Sequence, residues 1–119
     1  MPVTVLVVDD DALLRHVLVE ALELEGYDVE QAGDGQTAFE RIRRRCPDAM
    51  ILNNMLPVLS GYDLIVRLRD ERVELPVLLI SGAPRPLDIV PPGSFLAKPF
   101  DLLTMLDWVK AAVSHHPLG

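Results

Sequence analysis

A doubly wound α/β fold built on a parallel sheet is the architecture this chain predicts, on three observations. Short continuous apolar runs recur along it, such as VTVLVV at residues 3–8, and a strand of that kind is covered on both faces. Amphipathic stretches of helical length alternate with these runs, the rhythm of parallel strands joined by crossover helices. The polar residues that interrupt the pattern gather where apolar runs end, and an open parallel sheet forms its sites at that C-terminal edge.

The elements follow in order. After the first strand come three aspartates and an amphipathic stretch from Ala12 to Glu25, closed by Gly26. Residues 28–32 make a short second strand. Asp34 offers a cap for a second helix, with Ala38, Phe39, Ile42 and Cys46 on one face and Pro47 as its stop. Residues 49–52 (AMIL) read as a third, buried strand. A loop with Pro57 and Gly61 leads to a helix over about 62–71. Pro76 opens the fourth run, VLLIS; Phe95, Leu96 and Ala97 form a short fifth strand; residues 101–114 form the last helix. Residues 84–93 break the rhythm. Pro84, Pro86, Pro91 and Pro92 leave room for one helical turn at most, around Leu87 to Val90, so the fourth crossover helix is expected to be shortened or missing.

Composition bounds the function. With 119 residues, half of them hydrophobic, the chain is expected to be one domain (1–119) with a core of its own. A single cysteine, Cys46, excludes an internal disulfide, and no apolar run reaches the roughly 20 residues that cross a bilayer; a cytoplasmic location is expected. The net charge of −7 argues against nucleic acid as the main partner. Arg41, Arg43, Arg44 and Arg45 are the local exception, either a solvated helix face or a phosphate-binding patch.

Four residue sets fall at strand ends: Asp9, Asp10 and Asp11; Asn53; Ser81 with Gly82; and Lys98. Capping explains one aspartate, Asp11. Three adjacent like charges also ask for a cation, and hard oxygen ligands suit Mg²⁺. Lys98, one of two lysines in the chain, can neutralise those carboxylates or meet a bound phosphoryl oxygen. Ser81 supplies a hydroxyl, with space beside it at Gly82.

The segments VLVVDDD (5–11), PDAMILNNMLPVLSG (47–61), PVLLISG (76–82) and FLAKPF (95–100) together resemble a bacterial response-regulator receiver domain over essentially the whole chain. The resemblance implies a flavodoxin-like five-stranded sheet of order 2-1-3-4-5. It implies Mg²⁺ on Asp9, Asp10 and the Met55 carbonyl, a phosphoryl pocket of Ser81, Gly82 and Lys98, a switch aromatic at Phe95 and a cis Lys98–Pro99 bond. It also places Asn53 where the family carries its nucleophilic aspartate. A carboxylate attacks phosphorus to give an acyl phosphate; a neutral carboxamide is a poor nucleophile. Mg²⁺ binding is therefore expected to be weak and phosphorylation absent.

Two explanations of the asparagine stand: a natural pseudo-receiver acting by protein contacts, which the lost helix favours, or a conventional Mg²⁺-dependent receiver whose acceptor has been replaced. A remote alternative is a haloacid-dehalogenase-like phosphatase, suggested by Asp9-x-Asp11, Ser81 and Lys98, although only Asp101 follows the lysine closely. On the last helix, Leu102, Leu106, Val109 and Val113 make a core stripe, and Met105, Trp108 and Ala112 adjoin it. That second stripe either covers sheet left bare by the missing helix or forms an interface with a sensor kinase, an output protein or a second copy. His115 and His116 read as a frayed tail.

Overall fold

The computed structural model describes residues 2–82 and 89–114. In it five strands, β1 (Thr4–Val8), β2 (Asp28–Ala32), β3 (Ala49–Asn53), β4 (Val77–Ser81) and β5 (Phe95–Ala97), pair in parallel in the order β2-β1-β3-β4-β5. Helices α1 (Ala12–Leu24), α2 (Gly35–Arg44), α3 (Gly61–Asp70) and α4 (Leu102–Ser114) cover the two faces. The fold is flavodoxin-like, and the expected strand order holds.

Alternation along β1 shows why the strands read as unbroken apolar runs. Leu6 and Val8 join a core beneath α2 and α3, with Met50, Leu52, Leu64 and Leu79. Val5 and Val7 point into a second core beneath α1 and α4, with Leu18, Leu22, Ile51 and Leu78. Each strand residue is buried on one side or the other, so no polar face exists to create a period of two.

The helices begin where capping chemistry allows. Asp11 caps α1 by accepting from the amides of Leu13 and Leu14, Asp34 caps α2 through Thr37 N, and Ser60 caps α3 through Asp63 N. Gly26 takes φ +92° just past the end of α1, a left-handed conformation that glycine adopts without penalty.

Between β4 and β5 the described residues hold a 3₁₀ turn, Pro92–Ser94. The expected turn around Leu87 falls largely outside the described residues, as do Pro84, Pro86, His115 and His116. Ile89 and Val90 are buried in the α2–α3 core. Arg69 of α3 donates to the Ile89 carbonyl, and the Trp108 indole N–H of α4 donates to Ser94 Oγ at 3.2 Å. The segment before β5 is thus held from both sides.

Two expectations are corrected. Met105 is 0 % exposed in the α1–α4 core, with Val109, so it cannot belong to an interface face. The expected core stripe of Leu102, Leu106, Val109 and Val113 does pack in or against that core, with Met105 added to it. Cys46 is exposed, because the chain leaves the helix at Arg45 before the thiol can reach the core.

Candidate functional site

The C-terminal ends of β1, β3 and β4 bring Asp9, Asn53 and Ser81 to one edge of the sheet. The ladder continues one residue past β1, through Asp9 N to Ala32 O at 3.1 Å. That bond fixes the Asp9 backbone and aims its side chain inward; the residue is 1 % exposed. The three adjacent aspartates then separate by role. Asp9 is buried, Asp10 is exposed, and the Asp11 carboxylate is engaged at the start of α1. Among the described residues no group of three or more His, Cys, Asp or Glu side chains converges as a metal centre. Backbone direction disperses the three aspartates before electrostatics has to.

Burial drives the Asp9 carboxyl above the ordinary carboxylate range. The backbone N–H of Asp11, 2.9 Å from Asp9 Oδ1, and the positive charge of Lys98 work against that rise, while Asp10 and Asp11 add to it. Lys98 follows β5, its backbone N–H donating to Ser81 O at 2.9 Å. Its ammonium forms no ion pair within 4 Å among the described residues, so it acts on Asp9 across a gap.

Asn53 is the last residue of β3 and is 3 % exposed. Its Nδ2 group donates to Met55 O at 2.9 Å and lies 3.5 Å from Asp9 Oδ1. Its Oδ1 is buried with no hydrogen-bond partner. Ser81 ends β4 and is fully buried. Among the described residues, a Cβ added at Gly82 would meet nothing within 4 Å. Phe95 opens β5 half-buried against the α2–α3 core. The Lys98–Pro99 peptide is cis. Met55 is itself 67 % exposed, and only its carbonyl turns toward the site.

Two further residues shape this edge, of which Arg15 escaped the sequence reading. Arg15 Nη1 donates to the Asp9 carbonyl at 2.6 Å, and its Nε donates to Gln31 Oε1 at 3.2 Å. Its spacing of four from the cap Asp11 places it over the loop, a signal legible in principle. Asn54 Oδ1 accepts from Tyr62 N at 2.9 Å, so this second asparagine fastens the start of α3 and leaves the acid pocket to Asn53. Away from this edge, the arginine cluster proves structural in part. Arg41 pairs with Glu30 at 3.8 Å, and Arg43 with Glu71 at 3.9 Å.

Comparison with known proteins fits this arrangement. The family model described as response regulator receiver domain matches residues 5–110. The probable transcriptional regulatory protein TcrX of Mycobacterium tuberculosis is 47 % identical over 81 residues, 68 % of this chain and 35 % of that protein. Response regulator MprA of Mycobacterium sp. strain KMS is 36 % identical over 116 residues, 93 % of this chain and 50 % of that protein. The chain thus spans half or less of the length of these relatives. Among solved structures, the receiver domain of a Francisella response regulator superposes with a TM-score of 0.89 at 26 % identity, covering 96 % of this chain and 98 % of that one. A putative response regulator from Chloroflexus aurantiacus gives 0.85 at 31 % identity, covering 97 % of this chain and 100 % of that one. The chain is a two-component signalling module of the response regulator receiver domain family.

Proposed function

We propose that this chain is a pseudo-receiver, a signalling module whose phospho-acceptor position is Asn53 and which works through phosphorylation-independent protein contacts. One observation carries the reading: the buried side chain at the end of β3, beside Asp9, is a carboxamide. Acyl phosphate formation needs an anionic oxygen to attack phosphorus as the donor's leaving group departs, and a neutral carboxamide oxygen is too weak a nucleophile for that step. Family membership replaces the phosphatase alternative.

The test is intact mass after incubation with acetyl phosphate and Mg²⁺, on the chain and on Asn53→Asp. The chain should stay unlabelled, while the variant should gain one phosphoryl group if Ser81, Gly82 and Lys98 still form a working pocket. Labelling of the unaltered chain would overturn the reading. A second reading, a conventional Mg²⁺-dependent receiver whose acceptor was replaced, is favoured by the presence of Ser81, Lys98 and Phe95 at the expected strand ends. Labelling of the variant at an ordinary receiver rate would support it.

The donor set does not suit Mg²⁺ as a resident cofactor. Of the expected ligands, only Asp9 brings a buried carboxylate. Asp10 is exposed, and the Met55 carbonyl already accepts from Asn53. No step of the proposed function passes through the metal.

Contacts with a sensor kinase, an output protein or a second copy fall, in this reading, to the face of α4 that carries Trp108 and Ala112. Both line a groove of about 540 Å³ between α3, the start of β4 and α4. Likeness to regulators of the same family supports a cytoplasmic location. No helix among the described residues is long and apolar enough to cross a membrane.

A further inference from the structure

We infer that the Asn53 carboxamide is a built-in substitute for a cation in the acid pocket, bridging Asp9 to the Met55 carbonyl and fixing the β3–α3 loop without metal. The inference rests on the reading of Asn53 as the degenerate acceptor position and adds how that position is held.

The geometry is direct. Nδ2 lies 2.9 Å from Met55 O and 3.5 Å from Asp9 Oδ1. The NH₂ group thus faces a carbonyl and a carboxylate, the two oxygens that resemblance assigned to a divalent ion. The opposite orientation of the amide would set its oxygen against both of those oxygens and strand a buried NH₂ group, so electrostatics selects the orientation seen. The price of that choice is visible in Asn53 Oδ1, which is buried and has no partner. An unpaired acceptor is tolerated because the donor end of the same amide answers two oxygens that would otherwise repel. Asp9 Oδ1 also accepts from Asp11 N at 2.9 Å, and Arg15 holds the Asp9 carbonyl. Asp9 Oδ1 and the Asp9 carbonyl are therefore both met by donors from within the chain. Entry of a cation would require the amide to leave both oxygens at once, and position 53 would add only a neutral ligand in place of a carboxylate.

The experiment is a Mg²⁺ titration with no phosphodonor, following thermal unfolding and the backbone amide NMR signals of residues 9–11 and 53–60, with Mn²⁺ as a paramagnetic probe. The chain is expected to unfold at the same temperature in EDTA and in millimolar Mg²⁺, with no selective Mn²⁺ broadening. Asn53→Asp is expected to unfold lower in EDTA, recover with Mg²⁺, and bind the ion at least roughly tenfold tighter, since a carboxylate replaces a neutral ligand. Asn53→Ala removes the bridge without adding charge. Its Met55–Ser60 amides should exchange faster with solvent than those of the unaltered chain. Mg²⁺ stabilisation of the unaltered chain equal to that of Asn53→Asp would overturn the inference, as would unchanged loop exchange in Asn53→Ala. Neither result depends on whether acetyl phosphate labels the chain, so failure of this inference and failure of the pseudo-receiver reading are separable.

Discussion

Burial of Asp9 beside Asn53 leaves a carboxyl whose folded-state pKa is raised above its ordinary value of 3.8. A raised carboxyl pKa means that the folded state holds the proton more tightly than the unfolded chain does. Its contribution is therefore most favourable below the unfolded value and is lost as pH rises through the folded one. Asp9→Asn keeps an oxygen for Asp11 N and removes the titrating charge. We expect the variant to be more stable at neutral pH, by about 1 kcal/mol, and to lack the loss of stability expected of the unaltered chain as pH rises from the ordinary value through the raised one. Urea unfolding at a series of pH values checks this, and parallel slopes for the two proteins would refute it. The orphaned Asn53 Oδ1 belongs to the same scale. A buried acceptor left unpaired costs about 1–3 kcal/mol, a destabilisation the fold carries at its functional edge.

The β3–α3 loop is the element that positions this edge, and it is tight. A Cβ added at Gly61 would lie 2.7 Å from Asn53 O and 2.8 Å from Asn54 Cα, both backbone atoms. Gly61→Ala must therefore push the loop away from the end of β3, and a loss of about 1–3 kcal/mol is expected. Val58 shows the opposite case. It takes φ 67° and is 91 % exposed, so a β-branched side chain sits in the left-handed region with little contact to compensate. Relief of that strain, about 1–3 kcal/mol, outweighs the added chain entropy of glycine, and Val58→Gly should raise stability. Denaturant midpoints of the two variants should move in opposite directions.

Across the whole molecule the sheet divides the interior into two cores, and α4 contributes to the second through Met105 and Val109. Met105→Ala should cost about 2–5 kcal/mol through the cavity it leaves. The loss should appear as one cooperative transition, as for most domains of this size. Trp108→Ala removes a half-buried ring and its bond to Ser94 but empties no fully buried site, so its cost should be smaller. If the α4 face is a contact surface, Trp108→Ala weakens partner binding or self-association while Met105→Ala, measured where it is folded, does not. Light scattering at high concentration together with a binding assay separates the two. Equal effects of both substitutions on association would contradict the division of α4 into a core edge and a contact edge.

The sequence by itself determined the order of elements, their parallel sheet and the residues at its C-terminal edge. Apolar runs, capping aspartates and proline stops are local signals, and local physics reads them. It also fixed the chemical limit at position 53, because no fold turns a carboxamide into a carboxylate. Only the tertiary structure decided where neighbouring like residues point. Asp9 faces inward, Asp10 outward and Asp11 into a helix cap; Met105 enters the core while Trp108 stays at its rim. Those choices depend on the twist of β1 and on the rotation of α4 about its own axis. Both are set by packing between segments distant in the chain, as is the Asn53 NH₂ group beside Asp9.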